Sequence, residues 1–399
     1  MITIISGIAP CSTGTGRFLQ ELEYEKKSLR TDTEINLVYT RGEPWKRDLL
    51  KGKILRVLLI LLKSLYRKIY KQFILFDRKI LNSEVVILVH HQRLRGKWCE
   101  KFLERRKGST WLYLMDSGFF CIKSLNHKSD MNSPCLACLG GKWENIDINK
   151  CSTYPETDKY LTSFLKVLRT KVKNKEVKLI AQNKKQAELA RMHFGEDIDI
   201  KILGMWTIDL PKEFPANSNE QKLNTKESYD IVFHGNYAQA KGAAWTLEIA
   251  RLCPEYSFLF PFPKFLLNGI EAPPNCFFKN ITWETGLKDH IINSKLTLVP
   301  SLWSATMEGA FIKSFIYADI TGAIKNDTNY ASEFPDETLL KLSANAEEAA
   351  SQIKSVIEKN IKIPSNVRYN WFIEYQKENS SILSRLVKSL HRSPNLNTV

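Results

Sequence analysis

Residues Gly235–Gly242, which read GNYAQAKG, decide the fold of the second half of the chain. They follow a short apolar run, Ile231–Phe233, and precede a helical pattern over Ala243–Leu252. A strand, a glycine turn and a helix start place backbone N–H groups and the positive end of the helix dipole at one spot. Lys241 adds a mobile positive charge there. The stretch therefore predicts a βα unit with an anion site suited to phosphate.

A second stretch, about sixty residues later, repeats this pattern. Val299–Trp303 reads VPSLW, ends a strand predicted at Lys295–Val299, and leads to the sequence EGA at Glu308–Ala310. A helix is expected to begin near Gly309. Two strand–turn–helix units of this kind in one half of a chain predict a cleft for a nucleotide diphosphate.

The rest of the chain alternates strand-like apolar runs with helical periodicity. The predicted strands are Ile2–Ile5, Ile35–Tyr39, Glu84–Val89, Trp111–Leu114, Lys178–Ala181, Asp230–Phe233, Ser257–Phe260 and Lys295–Val299. The predicted helices are Gly16–Lys27, Trp98–Glu104, Tyr160–Lys171, Lys185–His193, Ala243–Leu252, Ala346–Glu358 and Tyr369–Leu390. This alternation is typical of α/β proteins, in which helices cover both faces of parallel sheets.

A chain of 399 residues with 43% hydrophobic content provides for two domains, each with its own core. We expect an N-terminal domain over 1–209 and a C-terminal domain over 230–366. Residues 210–229 are polar and aperiodic, which is typical of a linker. Residues 367–399 form a C-terminal helix and tail, and the helix is expected to pack back on the N-terminal domain.

A glycine-containing turn also follows the first predicted strand. Pro10–Phe18 reads PCSTGTGRF. A turn at the C-terminal end of a parallel strand faces the ligand crevice of such folds. The spacing is not a complete dinucleotide fingerprint, so Gly14, Thr15 and Gly16 form either a ligand-contacting loop or a simple tight turn.

These motifs together resemble the GT-B glycosyltransferases of the family-4 type. Ile202–Asp209 also resembles that family's stretch at the end of the first domain. The resemblance implies two Rossmann-like domains facing a central cleft, with a UDP- or GDP-linked sugar bound by the C-terminal domain and the acceptor by the N-terminal one. It implies transfer to a glycan or lipid-linked acceptor, usually with retention and without a catalytic metal, as in cell-surface polysaccharide or lipopolysaccharide assembly.

The resemblance assigns a donor site to the second half of the chain. Its expected residues are Gly235, Asn236, Lys241, Ser301, Glu308, Gly309, Ala310 and Lys313. Negative charge builds on the diphosphate as it leaves, and preorganised donors such as the Lys241 ammonium stabilise that charge. Lys241 and Glu308 are therefore candidate catalytic residues. The alternative for Lys241 is a solvated lysine at a helix start.

Two positions depart from the family pattern. Asn236 stands where family members usually carry a basic residue. Ile316 stands eight residues after Glu308, where they carry a second glutamate that binds the ribose. When the chain is aligned on the VPSLW segment instead, Lys313 falls near the position of the family's second glutamate. Lys313 could then contact a phosphate or ribose oxygen, pair with Glu308 one helix turn away, or be a surface lysine.

Polar side chains at two strand ends of the first half are candidates for the acceptor side. Asp116 follows the strand Trp111–Leu114 and Met115, where the family often has His-Asp. Asp116 either reaches the cleft as a catalytic group or caps the strand end. His90 follows the strand Glu84–Val89 and is either an acceptor-binding residue or a structural one.

Four cysteines lie in the irregular segment 122–157 or just before it. Cys121, Cys135, Cys138 and Cys151 have the spacing C-x13-C-x2-C-x12-C. Four thiolates can hold a structural zinc ion, which would staple a loop that has no core of its own. Reduced thiols or a disulfide are the alternatives.

Residues 46–80 contain eleven Lys or Arg and two Asp, a net charge of +9 of the chain's +15. Apolar residues recur among them at helical spacing. Such a helix can lie on an anionic membrane surface. The alternatives are a core-facing helix with a solvated basic face, or a basic patch for an acidic acceptor. The charge is local and no recognition motif accompanies it, so nucleic acid is not an expected partner.

No signal-peptide pattern precedes the first predicted strand. The most apolar segment, Ile54–Leu62, is interrupted by Arg56 and is shorter than the ~20 residues that span a bilayer. We therefore expect a cytoplasmic protein, peripheral on the inner membrane surface. The family's second glutamate is missing at Ile316, and Met115 replaces the histidine that often precedes Asp116. A catalytically inactive GT-B scaffold is therefore an alternative to the enzyme. A sugar-nucleotide epimerase is a further alternative.

Overall fold

The computed structural model describes residues 1–40, 54–154, 158–215 and 227–391. The chain divides into two compact units. Unit 1 contains Met1–Ser124, Ala137–Asp209 and the chain from Glu378 onward, and unit 2 contains Leu125–Leu136 and Leu210–Lys377. Each unit is built on its own six-stranded parallel sheet, which confirms the predicted α/β fold class with two Rossmann-like domains.

Five of the six strands described in the sheet of unit 1 correspond to strands predicted above. Its members are β1 (Ile2–Ser6), β2 (Ile35–Tyr39), β3 (Val85–Val89), β4 (Ser109–Tyr113), β5 (Val177–Ala181) and β6 (Ile200–Ile202). They lie in the order β2-β1-β3-β4-β5-β6, and the register pairs Ile4 of β1 with Leu37 and with Ile87. All five residues of β1 and of β3 are buried. Uninterrupted burial of apolar runs is what a parallel sheet covered on both faces requires.

Among the described residues, eight helices belong to the first part of unit 1. They are α1 (Gly14–Ser28), α2 (Ile54–Ile74), α3 (Arg78–Leu81), α4 (His91–Leu94), α5 (Gly96–Arg105), α6 (Asn145–Ile148), α7 (Leu161–Lys173) and α8 (Lys184–Phe194). Helix α2 lies within the basic stretch predicted at 46–80, of which residues 46–53 are outside the described residues.

The sheet of unit 2 contains β7 (Ile231–Phe233), β8 (Phe258–Phe260), β9 (Cys276–Phe278), β10 (Leu296–Leu298), β11 (Thr321–Ile324) and β12 (Leu340–Leu342). Its order is β12-β11-β10-β7-β8-β9, with parallel neighbours throughout. The chain runs outward from β7 to one edge and then returns to β10 on the other side. The strand order therefore reverses between β7 and β10, and ligands of open α/β sheets bind at such a point, beyond the carboxyl ends of the strands.

Helices lie on both faces of this second sheet. They are α9 (Ala243–Leu252), α10 (Leu287–Asn293), α11 (Gly309–Tyr317), α12 (Ala346–Glu358) and α13 (Ser365–Asn379). Alternate residues of β7 point to opposite faces. Ile231 belongs to one buried cluster with Trp245 of α9, whereas Val232 belongs to another with Leu287 of α10. Both faces are thus closed by apolar packing.

All eight predicted strands are present, with ends that differ by one or two residues. The strands β6, β9, β11 and β12 are not among those eight. They have three or four residues each, which is too short for a pattern to stand out. Residues 216–226 of the predicted linker lie outside the described residues.

The helix predicted at Tyr369–Leu390 is in fact two helices, α13 and α14 (Ile382–His391). The break falls at Ser381, whose φ of 54° is incompatible with a continuous helix. Glu25 of α1 supplies the reason, because its carboxylate accepts the N–H groups of Ile382 at 2.9 Å and Leu383 at 2.7 Å. This contact caps the start of α14 and holds it on unit 1, as predicted for the C-terminal helix.

Candidate functional site

The predicted glycine turn has the geometry of a strand–turn–helix unit. After β7 the chain makes a 3₁₀ turn at Gln239–Lys241, and α9 begins directly after Gly242. Gly242 has a φ of 78°, and a Cβ there would lie 2.2 Å from the carbonyl oxygen of Pro300. Only glycine fits this position, because the turn after β7 passes directly against the turn after β10.

Asn236 stabilises the backbone of this turn. Its side-chain Oδ1 accepts the N–H of Ala238 at 3.0 Å, which closes a local Asx turn. The residue that stands in place of the family's basic side chain therefore shapes the loop. The positive charge of the turn comes from Lys241.

Glu308 accepts hydrogen bonds from side chains of both turns. Its Oε1 accepts hydrogen bonds from Lys241 Nζ at 2.7 Å, Ser301 Oγ at 2.8 Å and Trp303 Nε1 at 3.2 Å. The Lys241 ammonium also lies 5.0 Å from the Trp303 ring centroid. The side chains of Glu308 and Lys241 are only 10% and 20% exposed. The structure thus brings together three of the predicted donor residues at the carboxyl ends of β7 and β10.

The start of α11 completes this cluster. Glu308 precedes the helix directly and its side chain makes no capping bond, so the first N–H groups of α11, at Gly309 and Ala310, are not satisfied by that carboxylate. N–H groups at a helix start, next to a lysine and neutral donors, favour the binding of an anion.

Lys313 of α11 is buried, with 3% of its surface exposed. Its ammonium lies 4.8 Å from the ring centroid of Trp283. The His234 ring also stacks on Trp283, at a centroid distance of 5.7 Å and an interplanar angle of 7°. His234 Nδ1 is hydrogen-bonded to Ser314 Oγ at 2.8 Å. The interpretation of Lys313 as a surface lysine is therefore wrong.

His234 and Trp283 were missed in the sequence. His234 directly follows β7, so the rule that polar residues at strand ends face the ligand crevice could have identified it. No pattern in the sequence relates Trp283 to His234.

The glycine turn of unit 1 is a helix start. Thr13 caps α1, because its Oγ1 accepts the N–H of Gly16 at 3.2 Å. A Cβ on Gly16 would lie 2.4 Å from Cys11 Sγ, whereas one on Gly14 would meet nothing within 4 Å. Tight packing thus explains Gly16. Gly14 and Thr15 border the open side of the turn.

Asp116 is held by three donors of unit 1. Its Oδ1 accepts Gln92 Nε2 at 2.6 Å and the Gly118 N–H at 2.7 Å, and the Ser124 hydroxyl donates to Oδ2. These contacts are those of a carboxylate that caps the turn after β4. They favour the capping interpretation of Asp116.

The two histidines after β3 differ in environment. His90 is partly exposed and has a left-handed φ of 54°. His91 is buried, with Nε2 at 3.0 Å from the Gly118 carbonyl oxygen, and burial lowers its pKa to about 4. His91 is therefore a neutral structural residue, and His90 is the one that a ligand could reach.

Three solved structures share this architecture. Sucrose-phosphate synthase from Thermosynechococcus elongatus matches with a TM-score of 0.61 and 10% identity, over 98% of both chains. Alr3699/HepE from Anabaena, solved in complex with UDP, matches with a TM-score of 0.57 and 10% identity, over 98% of this chain and 99% of that chain. The chain has the GT-B fold. A glycosyltransferase from Rickettsia africae matches with a TM-score of 0.54 and 11% identity, over 98% of this chain and 99% of that chain. No protein-family model and no curated protein matches the sequence.

The zinc site predicted at the four cysteines of this GT-B chain stays a prediction. Cys121 and Cys138 are buried, and Cys135 and Cys151 are partly buried. Among the described residues, no group of three or more His, Cys, Asp or Glu side chains is arranged to hold a metal ion. A hydrogen bond closes residues 126–135 of the segment, since the Cys135 N–H donates to the carbonyl of Asn126 at 2.7 Å.

Helix α2 adds an exposed apolar face to the GT-B fold. The stripe has a three- to four-residue spacing and each side chain in it is at least half exposed. Its members are Leu55, Leu58, Leu59, Leu62, Leu65, Tyr66, Ile69 and Phe73. Ile60 and Ile74, on the other side, are buried. By helical periodicity the exposed Lys63 and Lys68 lie on either side of the stripe. The described part of the chain contains no helix with the length and apolar character needed to cross a membrane.

Proposed function

We propose that this protein is a glycosyltransferase that binds a nucleotide-sugar at the Lys241–Glu308 cluster and transfers the sugar to a glycan or lipid-linked acceptor. The observation that carries the proposal is the meeting of Lys241, Ser301 and Glu308 at the point where the strand order of the second sheet reverses. The complex of the Anabaena neighbour with UDP supports a nucleotide as the ligand.

The cluster suits the departure of a nucleoside diphosphate. The bond from the anomeric carbon to the diphosphate oxygen breaks, and the oxygen keeps the electron pair. The Lys241 ammonium and the first N–H groups of α11 are preorganised to stabilise that charge. The acceptor hydroxyl then forms the new bond to the anomeric carbon and gives its proton to an oxygen of the departing diphosphate. We assign retention to the transfer on the strength of the family resemblance.

Glu308 has two roles in this proposal. It holds Lys241 in place while no ligand is bound, through the bond of 2.7 Å. Within the described residues, all three hydrogen bonds to Glu308 end on Oε1. We therefore assign Oε2 to a hydroxyl of the donor sugar.

We assign the acceptor to unit 1. Gly14, Thr15 and His90 are supported by their open positions after β1 and β3. Asp116 is retained only as a residue that fixes the turn beside them, because its carboxylate is already held by three donors. Assembly of a cell-surface polysaccharide is the process to which such an acceptor would belong.

We further propose that α2 lies on the anionic surface of the inner membrane. Its apolar stripe is directed away from the buried side, and lysines border it. Apolar side chains can insert at the depth of the lipid headgroups while lysines bind anionic lipid. A lipid-linked acceptor would be presented at that surface.

A thermal-shift screen over UDP- and GDP-linked sugars tests the enzyme proposal. A ligand at 100 times its Kd stabilises the folded protein by about 2.7 kcal/mol, so at least one nucleotide-sugar should raise the Tm by several degrees. If none of them changes the Tm of folded protein, the proposal fails and the scaffold interpretation is favoured.

Flotation with vesicles of phosphatidylcholine, with and without phosphatidylglycerol, tests the membrane proposal. Wild-type protein should float only with the anionic vesicles, and Leu62→Asp together with Leu65→Asp should abolish flotation. Phe265→Asp is a matched control, because Phe265 is 76% exposed but lies in unit 2. Equal flotation of all three proteins would refute the role of α2.

A further inference from the structure

Residues 125–136, here called the insert, pack with unit 2, although the chain on both sides of them belongs to unit 1. The insert is closed on itself. The Cys135 N–H donates to the Asn126 carbonyl at 2.7 Å, and Asn126 Nδ2 donates to the Cys135 carbonyl at 3.1 Å. The insert is therefore a compact loop whose ends meet at a buried asparagine with no exposed surface.

The same asparagine binds a second segment. Residues 301–308, here called the Glu308 loop, have no helix or strand of their own, and 301–307 are buried. Buried backbone N–H groups need partners. The Ser304 N–H donates to Asn126 Oδ1 at 3.0 Å, and Asn126 Nδ2 donates to Ser304 Oγ at 2.9 Å. One amide thus occupies two polar groups of Ser304, from a position 178 residues away in the sequence.

Other contacts hold the Glu308 loop from residues that follow it. Ser304 Oγ lies 2.7 Å from Thr328 Oγ1, and the Tyr330 N–H donates to the Ala305 carbonyl at 3.0 Å. The Tyr330 hydroxyl donates to the carbonyl of Val299 at 3.2 Å. These partners anchor the loop, but none of them binds the Ser304 N–H.

We propose that Asn126 is a positioning residue for the Lys241–Glu308 cluster, and that the insert exists to place it there. Trp303 directly precedes Ser304, so a shift of the Ser304 backbone also moves the indole N–H that donates to Glu308 Oε1. The effect on nucleotide binding rests on the proposed function. The effect on the Glu308 loop itself does not.

Asn126→Ala leaves the buried Ser304 N–H without its acceptor. Loss of this hydrogen bond destabilises the conformation of the Glu308 loop described here. Conformations in which the Ser304 N–H reaches water therefore become more populated. A nucleotide that binds only the original loop conformation then has a lower apparent affinity, in proportion to the fraction of protein that still has that conformation. We expect the affinity for UDP to fall about tenfold or more.

Asn275→Ala is the matched control. Asn275 Nδ2 donates to the carbonyls of Ala250, Cys253 and Tyr256, so it also ties buried backbone together within unit 2. None of these bonds involves the Glu308 loop. Loss of general stability should therefore be similar in the two variants, whereas loss of the site should be specific to Asn126→Ala.

Hydrogen–deuterium exchange of the unliganded proteins and UDP titration by calorimetry test the proposal together. Asn126→Ala should exchange faster than wild type in peptides covering 303–310, and Asn275→Ala only in peptides covering 250–258. Ser304→Ala, which keeps the N–H bond to Asn126, should give a smaller increase and serves as the second variant if Asn126→Ala does not fold.

The outcomes separate the two proposals. Unchanged exchange at 303–310 in Asn126→Ala overturns the positioning role, whatever UDP does. If Asn126→Ala exchanges faster at 303–310 but the wild type binds neither UDP nor GDP, the positioning role is supported and the nucleotide site is refuted. Equal weakening of UDP binding by Asn126→Ala and Asn275→Ala also overturns the proposal, because it shows general destabilisation.

Discussion

Replacing Glu308 by glutamine removes one charge from the Lys241–Glu308 pair and keeps the shape of the side chain. All three donors, on Lys241, Ser301 and Trp303, reach Oε1, and an amide oxygen at that position can still accept them. The Glu308 side chain is 10% exposed and the Lys241 side chain 20%, so the pair is largely withdrawn from bulk water. The variant therefore isolates the electrostatic effect of Glu308.

The magnitude follows from the charges. A diphosphate bound to Lys241 would lie within about 6 Å of the carboxylate, and at an effective dielectric constant near 20 two unit charges at that distance interact by roughly 3 kcal/mol. Solvent screening reduces this repulsion to about 1–2 kcal/mol. We expect Glu308→Gln to bind UDP about 5–30-fold more tightly than wild type. Since Lys241 keeps a hydrogen-bond acceptor but loses the opposite charge beside it, the free energy of unfolding should fall by about 1–2 kcal/mol.

Calorimetric titration with UDP and urea unfolding measure the two effects. Glu248→Gln is the control, because Glu248 is an exposed acid on α9 of the same unit. If Glu308→Gln binds UDP tenfold more weakly while remaining folded, the reasoning is refuted, and Glu308 contacts the nucleotide itself.

Three further predictions concern the structure around the site. Gly242→Ala should lower the free energy of unfolding by about 2 kcal/mol or more, because φ is 78° and the new Cβ would clash with Pro300. Gly14→Ala should change it little, and equal Tm values for the two variants would contradict this prediction. Burial, and then the charge of Arg169, lower the pKa of His193 from 6.5 to about 3. The unfolded chain therefore takes up a proton first, so stability falls as the pH drops from about 6.5 toward 3, and His193→Phe should flatten that part of the curve in urea unfolding at stepped pH; an unchanged slope would show that other groups dominate. Glu25→Ala should speed hydrogen exchange in α14, because Ile382 and Leu383 lose their N–H acceptors, and unchanged exchange there would show that packing alone holds the helix.

Much of the second domain could be predicted because its signals are local. The glycine turn at Gly235–Gly242 and the VPSLW segment each lie within about ten residues, and both have the predicted strand–turn–helix form. The sequence assigns both Lys241 and Glu308 to one donor site but does not predict that they pair, and their contact follows from the pairing of β7 with β10.

What could not be predicted depends on distant or very short segments. The bond between Asn126 and Ser304 joins residues 178 positions apart, and the break before α14 depends on Glu25 at the other end of the chain. The cysteine spacing predicts a zinc site in this segment, and it gives no sign of the hydrogen bonds by which a buried asparagine closes residues 126–135. Spacing alone cannot separate these two ways of holding an irregular segment together.

Calorimetric titration of wild type and Lys241→Met with UDP and with GDP tests the central claim most directly. Wild-type protein should bind at least one of the two nucleotides, and Lys241→Met should bind that nucleotide about 10–100-fold more weakly, because a charge-assisted contact to the diphosphate is lost. Equal affinity of the two folded proteins would contradict the assignment of Lys241 to the diphosphate. No binding of either nucleotide by the wild type would contradict the nucleotide site itself.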